Sequence, residues 1–348
     1  MKGEHTWSEI QSQAEVWPAA WRHALEASRR ISAAYRAGEF SEAIFIGCGS
    51  THYLSLSAAA LASGLLGLRS RGLPSSEVFL FPSQALPRQG KPWLVAISRS
   101  GETTETIKAV RLFRERFDSE VITIGNYPES TLAQECDDAV LIPEAQEQSI
   151  AQTRSFASML LAAQVILGAC AGNEEYLSQL SRLPQAVGPV LQRHTEPMQK
   201  LGADDRFDTF IFLGSGPFFG IASEGMLKMK EMSLSHSEAF HYLEFRHGPK
   251  SIVNRRTLIA ALLSDSARED ELRLLREMRQ LGASVLLIGD DIAADAPADF
   301  VVELGSGLPE LARLPLCLPP LQVFAYGRSI ARGLDPDTPT NLSAVVVL

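Results

Sequence analysis

The chain contains its own plan twice. The segment AIFIGCGSTHYLSLSAAALA, Ala43 to Ala62, lines up with TFIFLGSGPFFGIASEGMLK, Thr209 to Lys228, and brings Gly47 onto Gly214. Further on, WLVAISRSGETTETIKAVRLFRER from Trp93 lines up with TLIAALLSDSAREDELRLLREMRQ from Thr257, and VITIGN (Val121 to Asn126) with VLLIGD (Val285 to Asp290). The offset stays at about 165 residues, as the pairs Ala43 with Thr209 and Val121 with Val285 show, and a repeat of this kind decides the architecture before any motif is weighed. Each half reads strand, helix, strand, helix, strand. The strands are continuous β-branched runs, as expected where a parallel sheet is buried on both faces. Two doubly wound parallel-sheet α/β domains of flavodoxin-like type, in tandem, follow.

The predicted divisions are a helical segment over 1–42, a first domain over 43–184, and a second over 185–348 ending in an extended tail. In the first segment Trp7, Ile10, Trp17, Trp21 and Leu25 fall at helical spacings. The domain boundary is placed between Pro184 and Pro189. FASMLLAAQVILGAC, Phe156 to Cys170, is too short for a bilayer and reads as a buried core helix. Its apolar surface exceeds what one small sheet covers, which predicts a homodimer.

With 348 residues and a formal charge of −9, the chain lacks the basic footprint of a nucleic-acid binder. No apolar run reaches the roughly 20 residues of a membrane span, and Glu4, His5 and Glu9 stand where a secretory signal would be apolar. A cytoplasmic protein without nucleic-acid or membrane partners is expected. Cys48, Cys136, Cys170 and Cys317 are scattered, which fits isolated thiols in a reducing compartment and no structural metal.

Chemistry concentrates in SRSGETTET. Ser98, Ser100, Thr103 and Thr104 sit where a strand feeds a helix, the edge at which open parallel sheets bind ligands. Helix N–H groups attract phosphate there, Gly101 allows close backbone approach, and hydroxyls donate without bulk. Serine and threonine are also ordinary helix caps. Four such residues together, with Ser50 and Thr51 after the preceding strand, favour a phosphate cradle. In the repeat, SDSARED replaces the glycine and adds acidic residues, so only the first half is expected to hold phosphate.

With GCGST, SRSGETTET and EGMLKMKEMS…SEAFHYLEFRHGP in order, the chain resembles the tandem sugar isomerase (SIS) family, which includes the isomerase portion of glucosamine-6-phosphate synthase and stand-alone glucosamine-6-phosphate deaminases. The resemblance covers nearly everything beyond Ala43. It implies a sugar-phosphate substrate, no cofactor, and a homodimer with shared active sites. It also implies substrate contacts at Ser50, Thr51, Ser98, Arg99, Ser100, Gly101, Thr103 and Gln152.

Glu224, Lys228 and Glu231 share one helical face by their i, i+4, i+7 spacing. Alone, that pattern is an ordinary helix ion pair. The resemblance makes Glu231 the base that moves a proton between neighbouring carbons, with Lys228 and Glu224 tuning it, and His247 of the FRHGPKS turn the ring-opening group. The helix is expected to open at the carboxyl end of a strand, where a carboxylate can meet substrate. The spacings of His236, His241 and His247 are too irregular for a metal site.

Two departures from the synthase pattern stand out. The tail reads NLSAVVVL, without the lysine that forms a Schiff base there, and the last lysine is Lys250; Gln152 and Arg154 replace a serine and a lysine. The expected activity is phosphosugar isomerisation of hexosamine or ketose 6-phosphates, with deamination of glucosamine 6-phosphate to fructose 6-phosphate and ammonia leading. An aminotransferase acting with a separate glutaminase, a fructosamine-phosphate deglycase and a non-catalytic sugar-phosphate-binding regulator stay open. GCGSTH and GSGPFFG do not complete G-x-G-x-x-G, which disfavours a dehydrogenase.

Overall fold

The computed structural model describes residues 2–343. Two helices lead in, α1 (Glu4–Gln11) and α2 (Gln13–Gly38). The first sheet and its helices follow as β1 (Glu42–Gly47), α3 (Ser50–Leu66), β2 (Ser70–Pro74), α4 (Ser75–Leu80), α5 (Pro82–Ala85), β3 (Pro92–Ile97) and α6 (Thr104–Arg116). Then come β4 (Val121–Gly125), α7 (Thr131–Glu135), β5 (Asp138–Leu141), α8 (Arg154–Cys170) and α9 (Glu174–Leu180). The second half contains α10 (Leu183–Gly202), β6 (Thr209–Leu213), α11 (Phe218–Ser233), β7 (His236–Phe240), β8 (Thr257–Leu262), α12 (Arg268–Gln280), β9 (Ser284–Gly289), β10 (Phe300–Glu303) and α13 (Leu318–Ala331).

Both sheets are five-stranded and parallel throughout, in the orders β2-β1-β3-β4-β5 and β10-β9-β8-β6-β7. Read from the first strand of each half, the two orders are the same. The central strands β1, β3, β4 and β8 are buried along their whole length, which is why their sequences lack polar alternation.

The chain divides into two compact units. One comprises residues 12–148 and 152–184; the other comprises residues 2–11, 149–151 and 185–342. The helical segment 1–42 is therefore not a body of its own. Helix α2 packs on α8 and β5 in the first unit, whereas α1 packs on α13 in the second, where Trp7 lies against Tyr326 with ring centroids 5.0 Å apart. Trp17 is buried but Leu25 faces solvent. Of the passages between the units, the one at Pro184 to Gln185 falls inside helix α10.

In the first unit Ile44, Ile46, Leu94, Val110 and Phe113 form a core on one face of the sheet. Helix α8 is buried almost throughout, with α2 and α3 packed against it, and Gln164, its one strongly polar interior residue, donates to Tyr176 Oη at 2.9 Å. That cover comes from the chain itself. The apolar surface of α8 therefore gives no physical reason for a dimer, contrary to the sequence-based expectation.

Residues 344–348 of the tail, where the Schiff-base lysine of the synthase pattern would fall, lie outside the described residues. Among the described residues no helix is long and apolar enough to cross a membrane. The four cysteines are free thiols, and no cluster of three or more His, Cys, Asp or Glu among the described residues could hold a metal ion.

Candidate functional site

In a sheet of this order the chain reverses its direction of growth between the first and third strands, and ligands bind in the crevice this leaves at their carboxyl ends. In the first unit that crevice is bounded by the turn after β1 and the loop after β3. At Gly47 a Cβ would lie 2.4 Å from the Thr51 carbonyl carbon, so α3 begins hard against the strand end. Ser50 and Thr51 open α3 and are buried. The Thr51 hydroxyl accepts from the Cys48 N–H at 2.9 Å and donates to the Cys48 carbonyl at 3.0 Å. It serves the turn it sits in.

The loop from Ser98 to Thr103 is built differently. Gly101 has φ +67, and a Cβ there would stand 2.2 Å from Ser130 Oγ, so only glycine fits. Its N–H donates to Ser98 Oγ at 3.1 Å, and the Glu102 N–H donates to Ser100 Oγ at 3.2 Å. Thr103 Oγ1 lies 3.5 Å from Ser98 Oγ and caps α6 in position, though without a side-chain cap bond. Because the backbone uses acceptor lone pairs of Ser98 and Ser100, their hydroxyl hydrogens are available to donate to an anion. Glu102 turns away, accepting from Thr131 N at 2.6 Å and Thr131 Oγ1 at 2.8 Å at the start of α7.

Arg99 is buried, with Nη1 3.4 Å from the wholly buried carboxylate of Glu147. Gln152 is half-buried and its Oε1 is enclosed without a hydrogen-bond partner. The sequence reading missed Glu147 altogether, since a lone glutamate in a polar loop carries no pattern.

In the second unit the turn after β6 keeps the close approach at Gly214, where a Cβ would be 2.4 Å from the Phe218 carbonyl oxygen, and the counterpart of the hydroxyl loop is the loop after β8. Its N–H groups are already taken by carboxylates of the chain. Ser264 N donates to Glu271 Oε2 at 2.8 Å, Asp265 N and Ser266 N donate to Glu310 Oε2 at 2.5 and 2.7 Å, and Ser266 Oγ donates to Glu310 Oε1 at 3.1 Å. Buried Arg313 grips Asp265 through two bonds of 2.7 Å and, with Arg268, holds that carboxyl down at about 2. Burial pushes the Glu271 carboxyl up.

The chemistry-bearing face of α11 lies in this second unit. Lys228 is fully enclosed, its Nζ 3.3 Å from Glu224 Oε1 and hydrogen-bonded to Glu231 Oε2. Burial works against its charge, but the two carboxylates outweigh it and raise the lysine above its ordinary range. Lys228 is a fixed cation. Glu224 is buried completely; the Glu231 side chain keeps 19% of its surface. Helix α11 opens after the carboxyl end of β6, as expected, and Glu231 sits in its last turn, about 20 Å along the axis at 1.5 Å per residue.

His247 is exposed, lying between two 3₁₀ turns, and Gly248 follows it at φ +118. His241 stacks on Phe219, with ring centroids 3.9 Å apart, and His236 pairs loosely with Glu238 at 3.6 Å. His236 and His241 thus serve separate contacts.

Comparison with known proteins settles the family of the first loop. Residues 41–169 match the SIS domain family. The chain carries an SIS domain. It is 28% identical over 314 residues to glutamine–fructose-6-phosphate aminotransferase (isomerizing) of Methanothermobacter thermautotrophicus, covering 89% of this chain and 52% of that protein. The chain thus spans about half the length of the curated relatives it matches, and its similarity is to their isomerase portion. Among solved structures, glucosamine-6-phosphate deaminase from Thermotoga maritima superposes with TM-score 0.77 at 28% identity, covering 99% of this chain and 100% of that one. Tagatose-6-phosphate ketose/aldose isomerase from Escherichia coli shares the fold at TM-score 0.87 and 23% identity, over 97% and 96% of the two chains. Two α/β domains of SIS type, with the hydroxyl loop in the first, are the frame in which the site residues stand.

Proposed function

We propose that this SIS protein is a phosphosugar isomerase of the hexosamine type, converting glucosamine 6-phosphate and water to fructose 6-phosphate and ammonia. One observation carries the chemistry: a buried lysine held between two carboxylates, of which only Glu231 reaches solvent. The similarity to the Thermotoga deaminase along the whole chain supports the substrate class.

In this reading Ser98, Ser100 and Thr103, with Ser50, hold the phosphate, and Arg99 and Gln152 complete the binding set. His247 passes a proton between O1 and the ring oxygen to open the sugar. Glu231 then removes the proton from C2, giving an enolamine, and returns it to C1. The resulting C2 iminium takes up water and expels ammonia. A single base on one face serves both carbons. Lys228, in contact with Glu231, balances the charge that moves during transfer. The route runs through the enolamine and needs no Schiff base. The active form in this proposal is a homodimer in which the exposed His247 serves the neighbouring subunit.

Ammonia release measured over a panel of hexosamine and fructosamine 6-phosphates tests the reading, with solvent deuterium incorporation into product as a second observable. Release from glucosamine 6-phosphate with deuterium at C1 is expected. Release only from a fructosamine phosphate would make the protein a deglycase, and aldose–ketose exchange without ammonia a plain isomerase. Tight binding with neither turnover nor exchange would make it a sugar-phosphate-responsive regulator.

A further inference from the structure

We propose that Glu147 is a positioning residue that ties the Ser98–Thr103 loop to the amino end of α8 and so sets the affinity for phosphorylated substrate. The proposal rests on the phosphate-binding role given to that loop above.

The Glu147 carboxylate has no exposed surface. It accepts from Thr153 N at 2.7 Å, Thr153 Oγ1 at 2.8 Å, Ser155 N at 3.1 Å and Ser155 Oγ, so it caps the helix that Thr153 opens. On its other side lies the Arg99 guanidinium, 48 positions away in the chain. A buried carboxylate at the positive end of a helix is well placed to hold an arginine, and Arg99 is the residue between the two loop serines. One side chain therefore fixes two segments. Next to the second of them is Gln152, whose enclosed Oε1 makes no hydrogen bond; a polar atom left so by the protein marks a place where a ligand can donate. Displacing such donors and acceptors by a fraction of an ångström weakens ground-state and transition-state binding together, so the expected signature is in KM.

Glu147→Gln keeps an acceptor for the α8 amides but loses the charge that holds Arg99. KM for hexosamine 6-phosphate should rise about tenfold, the Kd for inorganic phosphate by calorimetry should rise in parallel, and kcat should stay within about twofold. Arg99→Gln should raise KM similarly, and the double variant should be no worse than Glu147→Gln alone, because both changes cut one link. Should Glu147→Gln not fold, Thr153→Val removes one donor at constant shape and should raise KM about threefold. A folded Glu147→Gln or Thr153→Val with wild-type KM and phosphate Kd overturns the proposal, as do multiplicative effects in the double variant or a loss confined to kcat. Failure of the functional reading is seen separately, in the wild-type protein: no phosphate binding removes the loop assignment, and no turnover leaves the phosphate Kd as the readout.

Discussion

The loops after β3 and β8 are equivalent positions in the two halves of an internal repeat, yet one is lined by its own hydroxyls and the other is filled by the chain's own carboxylates. In the first, backbone N–H groups fold back onto the loop's own serine hydroxyls, and Glu102 is drawn off to Thr131. In the second, Glu271 and Glu310 occupy the N–H groups of Ser264, Asp265 and Ser266. Under the proposed function, supplying a carboxylate of its own to one of two equivalent loops leaves a single anion site, and the second half contributes the α11 triad instead.

The largest effect should come from separating these roles. Glu231→Gln should lower kcat by at least about 10²-fold, as expected for a lost general base, and abolish deuterium exchange, while phosphate affinity in the first loop stays intact; a loss of phosphate binding instead would break the division. Ser100→Ala with Thr103→Ala should raise KM by about tenfold, near 1.4 kcal/mol. The mirror variant Ser266→Ala should leave KM within about twofold, and steady-state kinetics on both decide whether the loops differ in function.

Smaller effects concern the plug itself. Glu310→Ala strips three hydrogen bonds from Asp265 and Ser266, and at about 1–3 kcal/mol for newly unpaired groups it should lower Tm by several degrees without opening a phosphate site, because Asp265 remains charged beside it. Glu271 gives the smallest shift. Its carboxyl titrates higher folded than unfolded, so its contribution favours the fold below the unfolded carboxylate range and is lost as pH rises through the raised value. Glu271→Gln should therefore raise Tm by about 2–4 °C at pH 8, and the gain should vanish near pH 4. Asp265 has the opposite sign: held near 2 by Arg313, it stabilises above about pH 4, and that contribution fades as pH falls toward 2.

The repeat made the two sheets legible, because unalternated β-branched runs at a constant offset admit few other folds. The place of Gly101 and the loop hydroxyls was legible for a similar reason: an apolar run, one glycine and a helical pattern mark a strand-to-helix turn. Glu147 and Glu310 were not, since each acts on partners 6 to 48 positions away through burial that no local pattern encodes. The helical face of Glu224, Lys228 and Glu231 followed from spacing alone. Its distance from the strand edge did not, because helix length was needed. The apolar run of α8 misled in another way, for the cover it demanded lay in α2 of the same unit.

The second unit also gathers residues from both extremes of the chain. Thr6 N and Oγ1 both donate to Asp337 at 2.7 Å across 331 positions, and Glu9 holds Ser149 by the latter's N–H and hydroxyl. On a ribosome adding about 5–20 residues per second, α1 emerges well before α13 and must wait tens of seconds for its seat. Through that interval the first unit can complete itself, while α1 travels as an unseated amphipathic segment. Order of synthesis and order of assembly are reversed for that helix, and the second unit is finished by residues made before those of the first.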